Sequence, residues 1–277
     1  TASGALSATH YAAINSQIEG QDIYDLDLGS SDAKYFTLSF WVRSSVTGTY
    51  GGSFRNHNDS RNYPFSYSIN VADTWEKKQI TVAGDTAGTW LTNNNVGIKV
   101  WFALATGATY SGTADAWTST LHVSPTGATN LLATNSATWY LTGVKLETGQ
   151  IATDFEHRSY GDELVRCQRY CYRVQGDTED GKVIGTGLAR TNSHIRCVVP
   201  LPTTMRANEQ DVTESGLDCM YRAANTTVSM SSSQNEGKNA VAVTLTADSG
   251  SPFTTGDAIL LRVSSNTTAF FQVESEL

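Results

Sequence analysis

Thr138-Trp-Tyr-Leu-Thr-Gly-Val-Lys-Leu-Glu-Thr-Gly-Gln-Ile-Ala-Thr-Asp-Phe-Glu-His-Arg-Ser-Tyr-Gly-Asp-Glu-Leu-Val-Arg-Cys-Gln-Arg-Tyr-Cys-Tyr172 is the stretch that decides the fold. Its first part alternates, with Tyr140, Thr142, Val144 and Leu146 on one side and Lys145 and Glu147 on the other, which is the period of a strand. Gly149 breaks the run. Ser159 with Asp162 three residues on has the form of a capping box, and Asp162 and Glu163 suit a helix N-terminus. Leu164, Cys167, Gln168 and Cys171 then fall on one helical stripe. The stretch therefore predicts the last strand of one β-domain, a connector, one helix over about 159–170 and the first strand of a second β-domain. The boundary falls near residue 158, giving domains 1–158 and 159–277.

The rest of the chain repeats this grammar. Its 277 residues suffice for two ordinary domains. Short alternating runs are punctuated by Gly, Asn and Asp, and no other long amphipathic helical pattern occurs, so the chain reads as all-β. The expected architecture is two antiparallel β-sandwich, jelly-roll-like domains joined by one short helix. In the second half, Ile195, Cys197 and Val199 alternate with His194, Arg196 and Val198, and eight or nine such strands fit the available length.

The formal net charge is −8, carried by both halves without a basic run, which argues against nucleic acid as a partner. No run is apolar enough to cross a bilayer as a helix, and no signal peptide is visible. Cys167, Cys171, Cys197 and Cys219 lack the spacing of a zinc set and read as reduced, small buried side chains, as in a protein made in a reducing cytosol.

All six tryptophans lie in the first domain. In Thr37-Leu-Ser-Phe-Trp-Val-Arg43, Leu38, Phe40 and Val42 point inward, which turns Trp41 and Arg43 outward. In Gly97-Ile-Lys-Val-Trp-Phe-Ala-Leu104, Ile98, Val100, Phe102 and Leu104 point inward, which turns Lys99 and Trp101 outward. A flat aromatic ring beside a cation suits the C–H face and hydroxyls of a sugar, so both pairs are candidates for a glycan platform. The competing reading covers that face with a loop or another subunit. Trp90, Tyr110 and Trp117 fall in loops and are the flanking candidates, with a plug at one end of the sandwich as the alternative for Trp90 and Trp117. Trp75, heading a run towards Ile80 and Val82, reads as core.

Catalytic signatures do not emerge. No Gly-x-Ser-x-Gly elbow or HExxH helix is present, no motif pairs the scattered acids, and the five histidines have no ligand spacing. The expectation is a non-catalytic protein, with polysaccharide cleavage a minor alternative.

The junction, together with Thr37-Leu-Ser-Phe-Trp-Val-Arg-Ser-Ser45, Asn70-Val-Ala-Asp-Thr-Trp-Glu76, Gly84-Asp-Thr-Ala-Gly-Thr-Trp90 and Pro200-Leu-Pro-Thr-Thr-Met-Arg-Ala207, resembles tail-fibre and receptor-binding proteins of tailed bacteriophages. In these, a carbohydrate-binding-module-like sandwich precedes a C-terminal β-domain. The resemblance covers most of the chain. It implies a virion protein assembled in the host bacterial cytoplasm that touches host cell-surface polysaccharide, forms a homotrimer and meets other virion proteins. A structural virion component, such as a head fibre or decoration protein, is the alternative. Modules of this kind often carry a structural calcium, for which Glu19 and Glu147 are the matching acids; Thr142-Gly143 stands where an Asp is common. Outward Val198, Leu260 and Phe270 would supply a subunit contact.

Overall fold

The computed structural model describes residues 6–179, 181–208, 210–222 and 224–275. It is all-β apart from one α-helix and short 3-10 turns. The chain divides into two compact units, one up to Glu156 and the other from His157.

The first unit holds β1 (Tyr11–Glu19), β2 (Phe36–Ser44), β3 (Gly48–Asn56), β4 (Asn62–Ile69), β5 (Glu76–Val82), β6 (Val96–Thr106), β7 (Ser111–Gly112), β8 (Ser124–Pro125) and β9 (Trp139–Thr148). These form a four-stranded sheet, β1-β6-β3-β4, a three-stranded sheet, β5-β2-β9, and a minimal parallel pair, β7-β8. The two larger sheets face each other across one apolar core. Phe40 on β2 meets Tyr67 and Phe102 from the opposite sheet edge-to-face, each at 5.1 Å between ring centroids. Leu38, Phe40, Val42, Ile98, Val100 and Phe102 are buried as their alternation requires.

The alternation of β9 breaks where the sequence looked simplest. Between Ser39 and Trp41 of β2 the register of β9 jumps from Lys145 to Thr142, a bulge centred on Gly143, which sits at φ 59°. Tyr140 and Thr142 face outward, whereas Leu141, Val144 and Leu146 line a cleft of about 320 Å³ with Ile14 and Phe102. The expected single face of Tyr140, Thr142, Val144 and Leu146 is thus split in two by one glycine.

The second unit starts with α1 (Tyr160–Gln168), whose N-cap Ser159 accepts a hydrogen bond from the Asp162 N–H at 3.2 Å. The helix buries none of its residues within its unit, and Cys167 is exposed rather than buried as expected; Cys171, half-buried, already opens the next strand. There follow β10 (Cys171–Gln175), β11 (Lys182–Ala189), β12 (His194–Pro200), β13 (Asp211–Ser215), β14 (Leu217–Tyr221), β15 (Ala224–Asn235), β16 (Ala240–Ala247), β17 (Ala258–Val263) and β18 (Phe270–Glu274).

In place of the expected second jelly-roll sandwich, six strands close into a barrel in the order β11-β12-β16-β15-β14-β17, with β17 returning to β11. A separate sheet, β10-β18-β13, adds Phe271 and Val273 to the barrel's core. Closure needs strong local bending, and the strands carry the means for it. Registers shift between Met230 and Ser232 and between Val183 and Gly185. A Cβ on Gly187 would stand 2.0 Å from the Arg196 carbonyl oxygen, so β11 and β12 approach as only glycine allows. Cys197 and Cys219 are fully buried in this core. Burial, and then each other's proximity, pushes the Cys197 thiol up to about 12; burial pushes that of Cys219 up to about 11. Both are inert apolar side chains at neutral pH.

Candidate functional site

The two outward Trp/cation pairs do not lie on neighbouring strands. Trp41 and Arg43 stand on the outer face of β5-β2-β9, and Lys99 and Trp101 on the outer face of β1-β6-β3-β4. One shared platform is therefore excluded, because β2 and β6 face each other through the core rather than pairing.

On the three-stranded sheet, β2 is central, and Trp41 is opposite Lys77 of β5 and Thr142 of β9. Arg43 pairs with Tyr140, and its guanidinium lies 5.6 Å from that ring's centroid. Trp75 contacts Tyr140 at 6.4 Å, and the flat space at Gly143 is bordered by Trp41 and Phe155. Trp41, Trp75, Tyr140 and Phe155 are each exposed by 41–48 %. Sequence reasoning missed three of the four. Trp75 in particular is not core: it precedes β5, beyond the alternation that would turn it inward.

The turn before β5 sets this arrangement. The Glu76 carboxylate accepts the N–H groups of Asn70 and Val71 at 2.8 and 2.9 Å and pairs with Lys78 at 2.6 Å. The turn so held places Asp73, at φ 54°, within 3.6 Å of Arg43, with its N–H donating to the Ser44 carbonyl. The bond from Lys78 and then the Val71 N–H hold the Glu76 carboxyl down to about 2. Because its folded pKa is depressed, the stabilisation is present above the usual carboxylate range and is lost as pH falls from about 4.5 towards 2. Glu76→Gln should cost about 1–2 kcal/mol at pH 7 and flatten the acid limb of stability, read from urea melts at pH 7 and pH 3. Equal losses at both pH values would show that the charge contributes nothing.

The other end of this face is closed by the chain itself. Residues 149–155 run back across the sheet: the Thr37 hydroxyl donates to the Gly149 carbonyl, and the Thr81 hydroxyl and Gln79 amide donate to Gln150. Glu147 accepts the Thr153 N–H at 2.8 Å and its hydroxyl at 2.7 Å, and Lys145 bonds Thr153 as well. Thr37 and Ser39, on this face of β2, are buried. Of the acids matched to calcium, Glu147 is thus engaged by Thr153 and Lys145, and Glu19 accepts from Gln21. Among the described residues no three His, Cys, Asp or Glu side chains gather as metal ligands.

On the four-stranded sheet, Trp101 touches Tyr11 at 5.9 Å, and Tyr11 touches Tyr110 at 5.2 Å. Lys99 is tied to Asp59 at 3.1 Å. Trp90 and Trp117 join neither face. Trp90 is 8 % exposed, donates to the Ala87 carbonyl, and meets Trp117 edge-to-face at 5.5 Å. Trp117 donates to the Ala83 carbonyl and packs on Tyr63. They plug one end of the unit, as the alternative reading had it, because each indole N–H finds a backbone partner there.

The chain matches no family model, no curated protein and no solved structure.

Proposed function

We propose that this chain is a non-catalytic virion fibre or receptor-binding protein of a bacteriophage, attaching to host cell-surface polysaccharide through the outer face of β5-β2-β9. The observation that carries the reading is the group Trp41, Trp75, Tyr140 and Phe155, half-exposed on one sheet face beside Arg43, Asp73 and Lys77. Rings of this kind stack on sugar C–H faces, and the interleaved charges bond hydroxyls. The test is Trp41→Ala, assayed by particle adsorption and by binding of the purified protein to a glycan array. Affinity should fall by about 1–3 kcal/mol, with the thermal melt little changed. An unchanged affinity would remove this face from the site, and a large loss of stability would make Trp41 a packing residue.

The second reading, a structural virion component, gains from the barrel. Leu260, Thr186 and Val198 stand in register across β17, β11 and β12 on its outer wall, with Leu260 and Val198 exposed and Leu188 nearby. The third expected contact, Phe270, is roofed by the Arg173 guanidinium at 3.9 Å. In either reading the partner is two further copies of the chain, meeting through that wall. Light scattering at micromolar concentration should give the mass of three chains; the mass of one would end the trimer proposal.

A further inference from the structure

The outer face of the four-stranded sheet holds a physical anomaly. Arg55, on β3, is only 2 % exposed, yet its Nη2 has no hydrogen-bond partner. The guanidinium carbon lies over the Trp101 ring, 4.1 Å from its centroid, and the indole Nε1–H of Trp101 is likewise buried without a partner. A buried guanidinium with an idle donor is unfavourable unless an acceptor completes it. The neighbouring groups do not complete it. Arg55 Nε donates to the Ser53 hydroxyl, and Nη1 reaches Asp59 only at 3.9 Å, while that carboxylate sits closer to Lys99 at 3.1 Å.

The surroundings repeat the pattern. His122 and Ser124, from the excursion between β6 and β9, also carry buried polar atoms without partners. Burial, and then the nearby charge of Arg55, holds the His122 imidazole below its usual range, which keeps it neutral. The formal charge of the group is Arg55 and Lys99 against Asp59, a surplus of one positive charge. Tyr11 and Tyr110 border it with aromatic edges.

We propose that the stacked Arg55–Trp101 pair is an oxyanion site that takes a carboxylate, with Arg55 Nη2 and Trp101 Nε1 as its donors. A planar guanidinium beside a second N–H matches the paired oxygens of a carboxylate better than it matches a hydroxyl. Tyr11 and Tyr110 add a surface for a ring bearing that carboxylate, so a uronic-acid unit is one source and a free carboxylate the other. This site is separate from the Trp41 face and does not depend on the reading given for it.

The test follows the Trp101 indole N–H in ¹H–¹⁵N spectra of the full chain, assigned by Trp101→Phe, during titration with glucuronate, acetate and glucose. Glucuronate should shift this resonance saturably and glucose should not. A matching shift with acetate would make the free carboxylate sufficient; its absence would make the sugar ring part of the recognition. Trp101→Phe keeps an aromatic ring under Arg55 and removes one donor, so glucuronate affinity, measured by calorimetry, should fall roughly tenfold. The Trp101 resonance reports this face alone, which separates failure here from failure of the platform. If glucose shifts the resonance as much as glucuronate, or if none of the three shifts it, the proposal is overturned and water satisfies these donors.

Discussion

Asp85→Ala should lower the stability of the first unit by about 3–5 kcal/mol, the range for removing one partner of a buried ion pair. Asp85 is 2 % exposed and takes both arms of Arg61, at 2.6 and 2.7 Å, together with the Ala87 N–H at 3.1 Å. Deleting the carboxylate strands a guanidinium that is itself mostly enclosed. All six tryptophans lie in this unit, so intrinsic fluorescence during a urea titration reports it selectively. A loss below about 1 kcal/mol would mean that the pair behaves as a solvated surface bridge.

Trp90→Ala should cost a similar amount, about 3–5 kcal/mol, as large aromatic-to-alanine changes in cores do. It opens a hole against Trp117 and frees the Ala87 carbonyl. Ala87 also donates to Asp85, so the two substitutions share a loop and should combine to less than their sum. The contrast with Trp41→Ala, where stability is expected to hold, separates the plug from the platform. A small loss from Trp90→Ala would reverse that assignment.

Much of the fold was legible because it depended on local periodicity. The inward sets of β2 and β6 and the cap at Ser159 follow from spacing alone. Strand partnership is non-local, and nothing in the two Trp-bearing runs says that β2 and β6 join different sheets. The same limit hid the barrel, although Gly185 and Gly187 within one strand are a signal of tight curvature. At the site, Trp41 and Arg43 were readable from alternation. Tyr140 was assigned a face, but Gly143 split that face. Trp75 and Phe155 lie outside the strands, where periodicity has no grip. Arg55 carried no sequence signal, since its burial arises only in the tertiary fold.

The strap over residues 149–155 has a mechanical consequence. The chain leaves the first unit at Glu156, so tension transmitted along the backbone from the second unit enters through this segment. Its attachments follow one another along the chain: Asp154 from Lys77 at 4.0 Å and Lys145 at 3.2 Å would yield first, then Thr153 from Glu147 and Lys145, then Ala152 from Gln79, then Gln150 from Thr81 and Gln79, and last Gly149 from Thr37 and Tyr35. Each link is small, so the segment would peel stepwise and re-anneal, paying out roughly 25 Å for seven extended residues before any sheet is loaded. Such a strap would act as a shock absorber, and peeling it would withdraw Phe155 from beside Trp41, so the outer face of β5-β2-β9 would change under load.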